Sequence, residues 1–245
     1  MNLLNMMKTM NRPFRWLNFA GAAVVALGLT ASAHAASYSY AWNSGFAVGG
    51  VVPDANTTGW SDTRTLAGIS ESLIEDVNVT LNLGGGWNGD LYAYLVHGSG
   101  FSVLLNRVGR TAGDGFGSGD AGMNVTLDDS AANGDIHLYG AGNIRGGAAW
   151  AADGRNVNPL NTLDTDGRSS LLNTFNGQDP NGQWTLFIAD LSGGDVSTLT
   201  SWGLNIEASS GGSVSVPDGG ASSLLVAIGL GALGLLRFRV RQAQK

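Results

Sequence analysis

Cysteine is absent from all 245 residues, and lysine is absent between Lys8 and Lys245. The chain therefore has no disulfide, thiolate metal site or thiol nucleophile, and an exported form must draw its stability from a buried core. Histidine occurs only as His34, His97 and His137. No Gly-x-Ser-x-Gly elbow and no His-Glu-x-x-His is present, which removes the two commonest hydrolase signatures. Between the two ends, no window places apolar residues at helical spacing over three turns, so a helical bundle is excluded. What the chain does have is 38 glycines and 43% hydrophobic residues, apolar material for one sizeable domain broken by many turns.

Long apolar runs occur only at the ends. The first, Leu17 to Thr30, follows Lys8, Arg12 and Arg15 and precedes Ala33-His34-Ala35. Charged, apolar and small-residue stretches in that order make a secretory signal peptide over 1–35, with Ala33 and Ala35 as the residues presented to signal peptidase. At the other end a Gly/Ser-rich linker, 209–216, leads into Val216-Pro217-Asp218-Gly219-Gly220. An apolar run from Ala221 to Leu236 follows, closed by Arg237, Arg239, Arg241 and Lys245. Its 16 residues fall just short of the roughly 17 that a spanning helix needs, and a snorkelling Arg237 lets the span reach Phe238. Basic residues beyond a span are expected on the cytoplasmic side, which puts the rest of the chain outside.

A plain C-terminal anchor is one reading of this tail. Motif, minimal span and basic end together (217–245) resemble the PEP-CTERM sorting signals of Gram-negative bacteria, although Asp218 and Gly219 stand where the commoner form has Glu and Pro. The resemblance implies processing by an exosortase-type enzyme. It also implies a protein that sits transiently in the inner membrane before reaching the cell envelope or the extracellular space.

Without its ends the chain is strongly acidic. Residues 36–216 hold six arginines, no lysine and eighteen carboxylates, a net charge of −12. Such a surface repels nucleic acid phosphates and anionic lipid, leaving divalent cations, neutral polysaccharide or another protein as partners.

The middle reads as short strands. Val77, Val79, Leu81 and Leu83 alternate with Asp76, Asn78, Thr80 and Asn82, the period of a half-buried antiparallel strand. Gly84 to Gly89 turns the chain, and Leu91, Ala93 and Leu95 share one face of the next strand. Phe101 to Leu105 is a weaker run; Met123, Val125 and Leu127 alternate again, and Ile136 and Leu138 suggest a short edge strand. Asn176-Gly177 and Asn181-Gly182 each permit a tight reversal, with Pro180 between them. In the strand that follows, Trp184, Leu186 and Ile188 face one way and Thr185, Phe187 and Ala189 the other. Apolar weight on both faces suits a central strand covered on each side or one lying near a seam between packed units. After a Gly193 to Asp195 turn, Trp202, Leu204 and Ile206 alternate, and the two runs read as neighbours in one sheet. The fold class is all-β, a sandwich or jelly roll.

The segment from Leu172 to Asp190, with Gly194-Asp195, Leu199 and Ser201-Trp202-Gly203-Leu204, resembles the closing half of the P domain (Homo B domain) of kexin- and furin-like proprotein convertases. Ile74 to Val79 and Gly89-Asp90-Leu91 resemble its opening strand and Gly-Asp-Leu step. The resemblance covers 66–208 and sets 36–65 apart as an N-terminal extension. It implies a jelly-roll β-sandwich that assists a protease domain. The 36–65 stretch leaves no room for such a domain, so support of a secreted protease would have to be given in trans.

Candidate chemistry is sparse. His97 precedes Gly98-Ser99-Gly100 and reads as a loop residue, and His137 reads as solvent-facing on an edge strand; neither is expected to catalyse, and no catalytic residue is assigned. Asp164-Thr165-Asp166-Gly167 has the spacing of the middle of a calcium loop, though Thr162 and Asn173 stand where its outer ligands should be. Asp164 and Asp166 are thus candidate Ca2+ ligands, the other reading being a solvated polar turn. Trp60, Trp87 and Trp150 lie in Gly/Asn-rich stretches, either as sugar-stacking platforms or as caps on the core. The expectation is an exported module without catalysis, structural or interacting at the cell surface or in an extracellular matrix, with calcium or carbohydrate binding as the alternative.

Overall fold

The computed structural model describes residues 35–140 and 144–211, all within one compact unit. The signal segment up to His34, the sorting motif and the apolar run after it lie outside the described residues. Among the described residues nine strands are present: β1 (Ala36–Trp42), β2 (Asn56–Leu66), β3 (Leu73–Trp87), β4 (Leu91–His97), β5 (Gly100–Asn106), β6 (Ala121–Leu127), β7 (Ala149–Trp150), β8 (Gly182–Asp190) and β9 (Ser197–Ser209). Helix is confined to 3-10 turns of three or four residues, and among the described residues no helix is long and apolar enough to cross a membrane.

The strands form two sheets, ordered β1-β9-β3-β6-β7 and β2-β8-β4-β5. Every pairing is antiparallel except β6 with the two-residue β7. Leaving β7 aside, the chain visits the two sheets in the order of a jelly roll. The alternation seen in the sequence explains why these runs pair: β3, β4, β6, β8 and β9 each point a row of apolar side chains at the other sheet. Val77, Val79, Leu81 and Leu83 from β3 meet Trp184, Leu186 and Ile188 from β8 in one core that also holds Trp202, Leu204 and Ile206. Each such side chain contributes about 1.5–3 kcal/mol on burial. β8 lies between β2 and β4, the central place that its two apolar faces require.

The doubled Asn-Gly turn before β8 has a packing role. The Trp184 indole donates to the Pro180 carbonyl (3.0 Å), so the turn closes over the ring that begins the strand. Asn181 bonds Ile69 through both ends of its amide, Ile69 N–H to Oδ1 at 3.0 Å and Nδ2–H to the Ile69 carbonyl at 2.9 Å.

Three expectations are corrected. Residues 36–65 are no extension: β1 pairs along β9 from Ala36↔Ala208 to Trp42↔Trp202, and β2 pairs with β8. β8 and β9 are not sheet neighbours, because the turn at 191–196 crosses from one layer to the other and β9 sits between β1 and β3. Ile136 and Leu138 belong to a 3-10 turn capped by Asp135, whose side chain accepts from the His137 N–H, rather than to an edge strand.

Candidate functional site

The loops 43–55, 88–90, 107–120 and 191–196 gather at one end of the sandwich, because β1, β3, β5 and β8 finish there and β2, β4, β6 and β9 begin there. Gly89 is the pivot of this end. A Cβ on it would stand 2.5 Å from both the Phe116 carbonyl oxygen and the Ser118 nitrogen, so only glycine lets the 107–120 loop lie backbone to backbone on the 88–90 turn. Asn88 N–H donates to the Asp120 carbonyl (2.9 Å) and Gly89 N–H to the Ser118 carbonyl (2.8 Å), which fixes the contact.

Beneath that contact lies a buried charge cluster. Arg107, itself at φ 53, donates from Nε to the Gly89 carbonyl (2.9 Å) and reaches Asp90 Oδ1 at 3.5 Å and the Phe116 carbonyl at 3.4 Å from Nη2. Asp190, at the end of β8, is fully buried; Oδ1 accepts from Ser192 N–H (3.3 Å), and Oδ2 has no partner. Burial, helped by the charges of Asp90 and Asp54 and only partly offset by the Ser192 N–H and Arg107, pushes the Asp190 carboxyl up to about 6. Burial likewise raises Asp90, against the pull of Arg107.

The 109–120 loop and Tyr139 enclose a small open cleft of about 310 Å3 lined by Asp114, Ser118, Asp120 and three glycines. Its walls are held by Asp114 Oδ1, which accepts from Phe116 N–H (3.0 Å) and Gly117 N–H (3.2 Å), and by a Ser118–Tyr139 hydroxyl pair.

Behind the same loop sits the one His–Asp pair among the described residues. His137 is buried, not solvent-facing as its neighbours in sequence suggest. Nδ1 is 2.8 Å from Asp153 Oδ2 and Nε2 is 2.9 Å from the Arg110 carbonyl oxygen. Asp153 Oδ2 also accepts from Asn106 N–H (3.1 Å), and its Oδ1 accepts from Arg155 Nη1 (3.2 Å). Arg155 continues to Asp135 Oδ2 (2.8 Å) and to the carbonyls of Leu163 and Asp164. A carbonyl only accepts, and a carboxylate beside the other nitrogen favours a donor there too, so both nitrogens carry hydrogen and the ring is cationic. Burial opposes that charge, but the bond and charge of Asp153 and the Arg110 carbonyl outweigh it, and the His137 pKa is raised. With Nε2 held by a carbonyl and no access to solvent, the pair lacks the free nitrogen that a general base needs.

His97 is also placed differently from its expected loop. It ends β4, buried, stacked at 3.9 Å on Trp184, with Nδ1 2.9 Å from the Gln183 carbonyl and Nε2 2.7 Å from the Asp179 carbonyl. It lies at the opposite end from the loops above, and no serine hydroxyl bonds either histidine ring.

Asp164 and Asp166 remain in one turn, where Asp166 Oδ2 accepts from Leu163 N–H (2.8 Å) and the Asp164 carbonyl accepts from Arg155. Among the described residues no three His, Asp or Glu side chains are grouped so as to hold a metal ion. Trp60 and Trp150 pack against the core, while Trp87 is exposed at the loop end. Sequence reasoning missed Asp153, Arg155 and Asp190 altogether. Only the scarcity of cations among so many carboxylates hinted at a buried ion network.

The stretch that supplies Arg155's carbonyl partners, the doubled turn, β8 and β9 is also where comparison with known families is informative. Residues 157–206 match the family model of the proprotein convertase P-domain. The P-domain match covers β8 and most of β9, the segment on which the resemblance was noted. No curated protein matches the chain. Among solved structures, a serine protease of Aeromonas sobria in complex with its chaperone ORF2 aligns at 16% identity and TM-score 0.40, over 72% of this chain and 27% of that one. The A. sobria serine protease alone aligns at 17% identity and TM-score 0.40, over 71% and 27%. The chain thus spans about a quarter of the length of each.

Proposed function

We propose that this chain is an exported, non-catalytic β-sandwich module of P-domain type that works by contact with another molecule at the cell surface or in the extracellular matrix. The observation that carries the reading is the P-domain match over 157–206. Supporting it, both histidines of the sandwich are buried with their ring nitrogens facing backbone carbonyl or carboxylate oxygens, which leaves no imidazole free to take a proton from a nucleophile. Signal peptidase trims the chain at Ala35, and an exosortase-type enzyme removes the segment after the Val216 to Gly220 motif, so the membrane is a waystation and not the place of action.

The test is a panel of fluorogenic peptide, p-nitrophenyl ester and p-nitrophenyl glycoside substrates offered to the protein recovered from the cells that export it. No turnover above buffer is expected. Turnover that vanishes in His97→Ala or His137→Ala would overturn the non-catalytic reading, and an intact Arg237 to Lys245 tail on the exported form would overturn the processing.

A further inference from the structure

Exposed apolar residues are distributed unevenly over this sandwich. Of the eight exposed large hydrophobics among the described residues, Val48, Val51, Trp87, Phe116 and Val196 project from or beside the loops 43–55, 88–90, 107–120 and 191–196, and the other three, Leu138, Val157 and Leu160, lie in the long connection between β6 and β8. None of the exposed large hydrophobics among the described residues comes from the turns of the opposite end, 67–72, 98–99 and 176–181. Val48 and Val51 touch, and Val51 and Trp87 each reach a residue two positions from Val196. Val51 N–H donates to the Val48 carbonyl (3.4 Å), Val51 bridges to Thr198, and the Trp87 ring comes so near Gly194 that a Cβ there would be 3.5 Å from it. Val48 is 69% exposed at φ 45 and ψ 32, a left-handed conformation that a β-branched residue rarely adopts. The three non-glycine residues at positive φ among the described residues, Val48, Ala55 and Arg107, all lie at this end. An apolar patch assembled on strained loops marks a contact surface and not a core.

The charges around the patch select its occupant. Asp54, Asp114 and Asp195 are exposed in the same loops, with Asp120 beside them. The three arginines that reach these loops are already engaged, Arg107 with the Gly89 and Phe116 carbonyls, Arg110 with the Gly115 and Thr162 carbonyls, and Arg64 with Asp62 and the Ser44 carbonyl. The rim is therefore anionic. A second copy, carrying the same rim and the same net −12 over 36–216, would be repelled, and so would nucleic acid or anionic lipid.

We infer that this loop end docks a protein partner that offers apolar pockets to Val48, Trp87 and Val196 and a lysine- or arginine-rich rim to Asp54, Asp114 and Asp195. The inference rests on the contact role proposed above and adds the surface and the chemistry of the partner.

A photo-cross-linking residue, p-benzoylphenylalanine, placed at Val48, at Val196 or at Ser99 on the opposite end of the full chain, tests it in the exporting cells. Adducts are expected from Val48 and Val196 and not from Ser99. Raising salt from about 0.05 to 0.5 M should reduce them severalfold, and mass spectrometry should place the adduct on a partner face rich in lysine and arginine. The double variant Val48→Asp, Val196→Asp should lower adduct yield from a third probe at Phe116 about tenfold while the unfolding temperature does not fall. Adducts from all three sites alike, adducts indifferent to salt, an adduct with a second copy, or none at all each overturn the inference. None of these outcomes touches the substrate panel, so a failed docking surface and a failed non-catalytic reading can be told apart.

Discussion

His137 and Asp153 form a fully buried pair, Nδ1 to Oδ2 at 2.8 Å, with the second ring nitrogen closed off by the Arg110 carbonyl. The residues facing it are Asp153, Arg155 and the Arg110 backbone, with Asp135 and Arg168 one contact further out. A raised histidine pKa stabilises the fold fully below the unfolded value of 6.5, and that stabilisation is lost as pH rises through the folded value. Nitrogen-15 spectra should show both ring nitrogens protonated at neutral pH, and a neutral tautomer would contradict the geometry. His137→Gln, which leaves Arg155 as the one remaining cation on the buried Asp153, should cost about 2 kcal/mol in denaturant unfolding.

Asp190 should shift stability in the same direction for a different reason. Its carboxyl is held at about 6 against an ordinary 3.8, so the fold favours the protonated form; stability is present below 3.8 and lost as pH climbs through about 6. Asp190→Asn keeps an acceptor for Ser192 N–H and removes the buried charge. Its unfolding temperature should exceed that of the parent at pH 8 and converge with it near pH 4; a larger difference at pH 4 than at pH 8 would refute the assignment.

Trp202 and Asp62 tie the two sheets together. The indole Nε1–H of β9 donates to Asp62 Oδ2 of β2 at 2.7 Å, and Arg64 Nε holds the same oxygen at 2.7 Å. Trp202→Phe should destabilise by about 2–3 kcal/mol through lost volume and the loss of one of the two hydrogen bonds to the buried Asp62 Oδ2. In a double-mutant cycle with Asp62→Ala the two effects should fall short of additivity, and strict additivity would show that the bond carries no stability.

Gly89→Ala should disturb the loop end without reaching the core. Its Cβ would meet Phe116 and Ser118 backbone atoms at 2.5 Å, so the 107–120 loop must move away. A loss of about 1–3 kcal/mol is expected, together with faster amide exchange at Ser118, whose N–H donates to the Val108 carbonyl. Unchanged exchange there would show that the loop does not depend on glycine at this position.

The strands were legible in sequence wherever one face is apolar and the other polar. Val77 to Leu83 in β3 and Trp202 to Ile206 in β9 announce themselves by period two, because each strand buries one face only. Ile136 and Leu138 show the same spacing for three residues, too few to distinguish a strand from a 3-10 turn. That ambiguity misplaced His137, whose partner Asp153 lies 16 residues on. β1, with alternating serine and tyrosine, was passed over because its inward face is only half buried. Asp90 stood inside a noticed Gly-Asp-Leu step, but nothing local says that it lies near Arg107 and Asp190.

Sequence alone determined the all-β class, the acidity of the domain and the lack of any thiol chemistry, since these follow from composition and from periodicity within single strands. Tertiary structure decided which sheet each strand joins, that His97 and His137 are buried against carbonyl or carboxylate oxygens, that an aspartate is left half-partnered in the interior, and that Val48, Val51 and Val196 share an end with strained loops. Those facts depend on contacts between residues far apart in the chain, where no local preference of backbone or side chain specifies the partner.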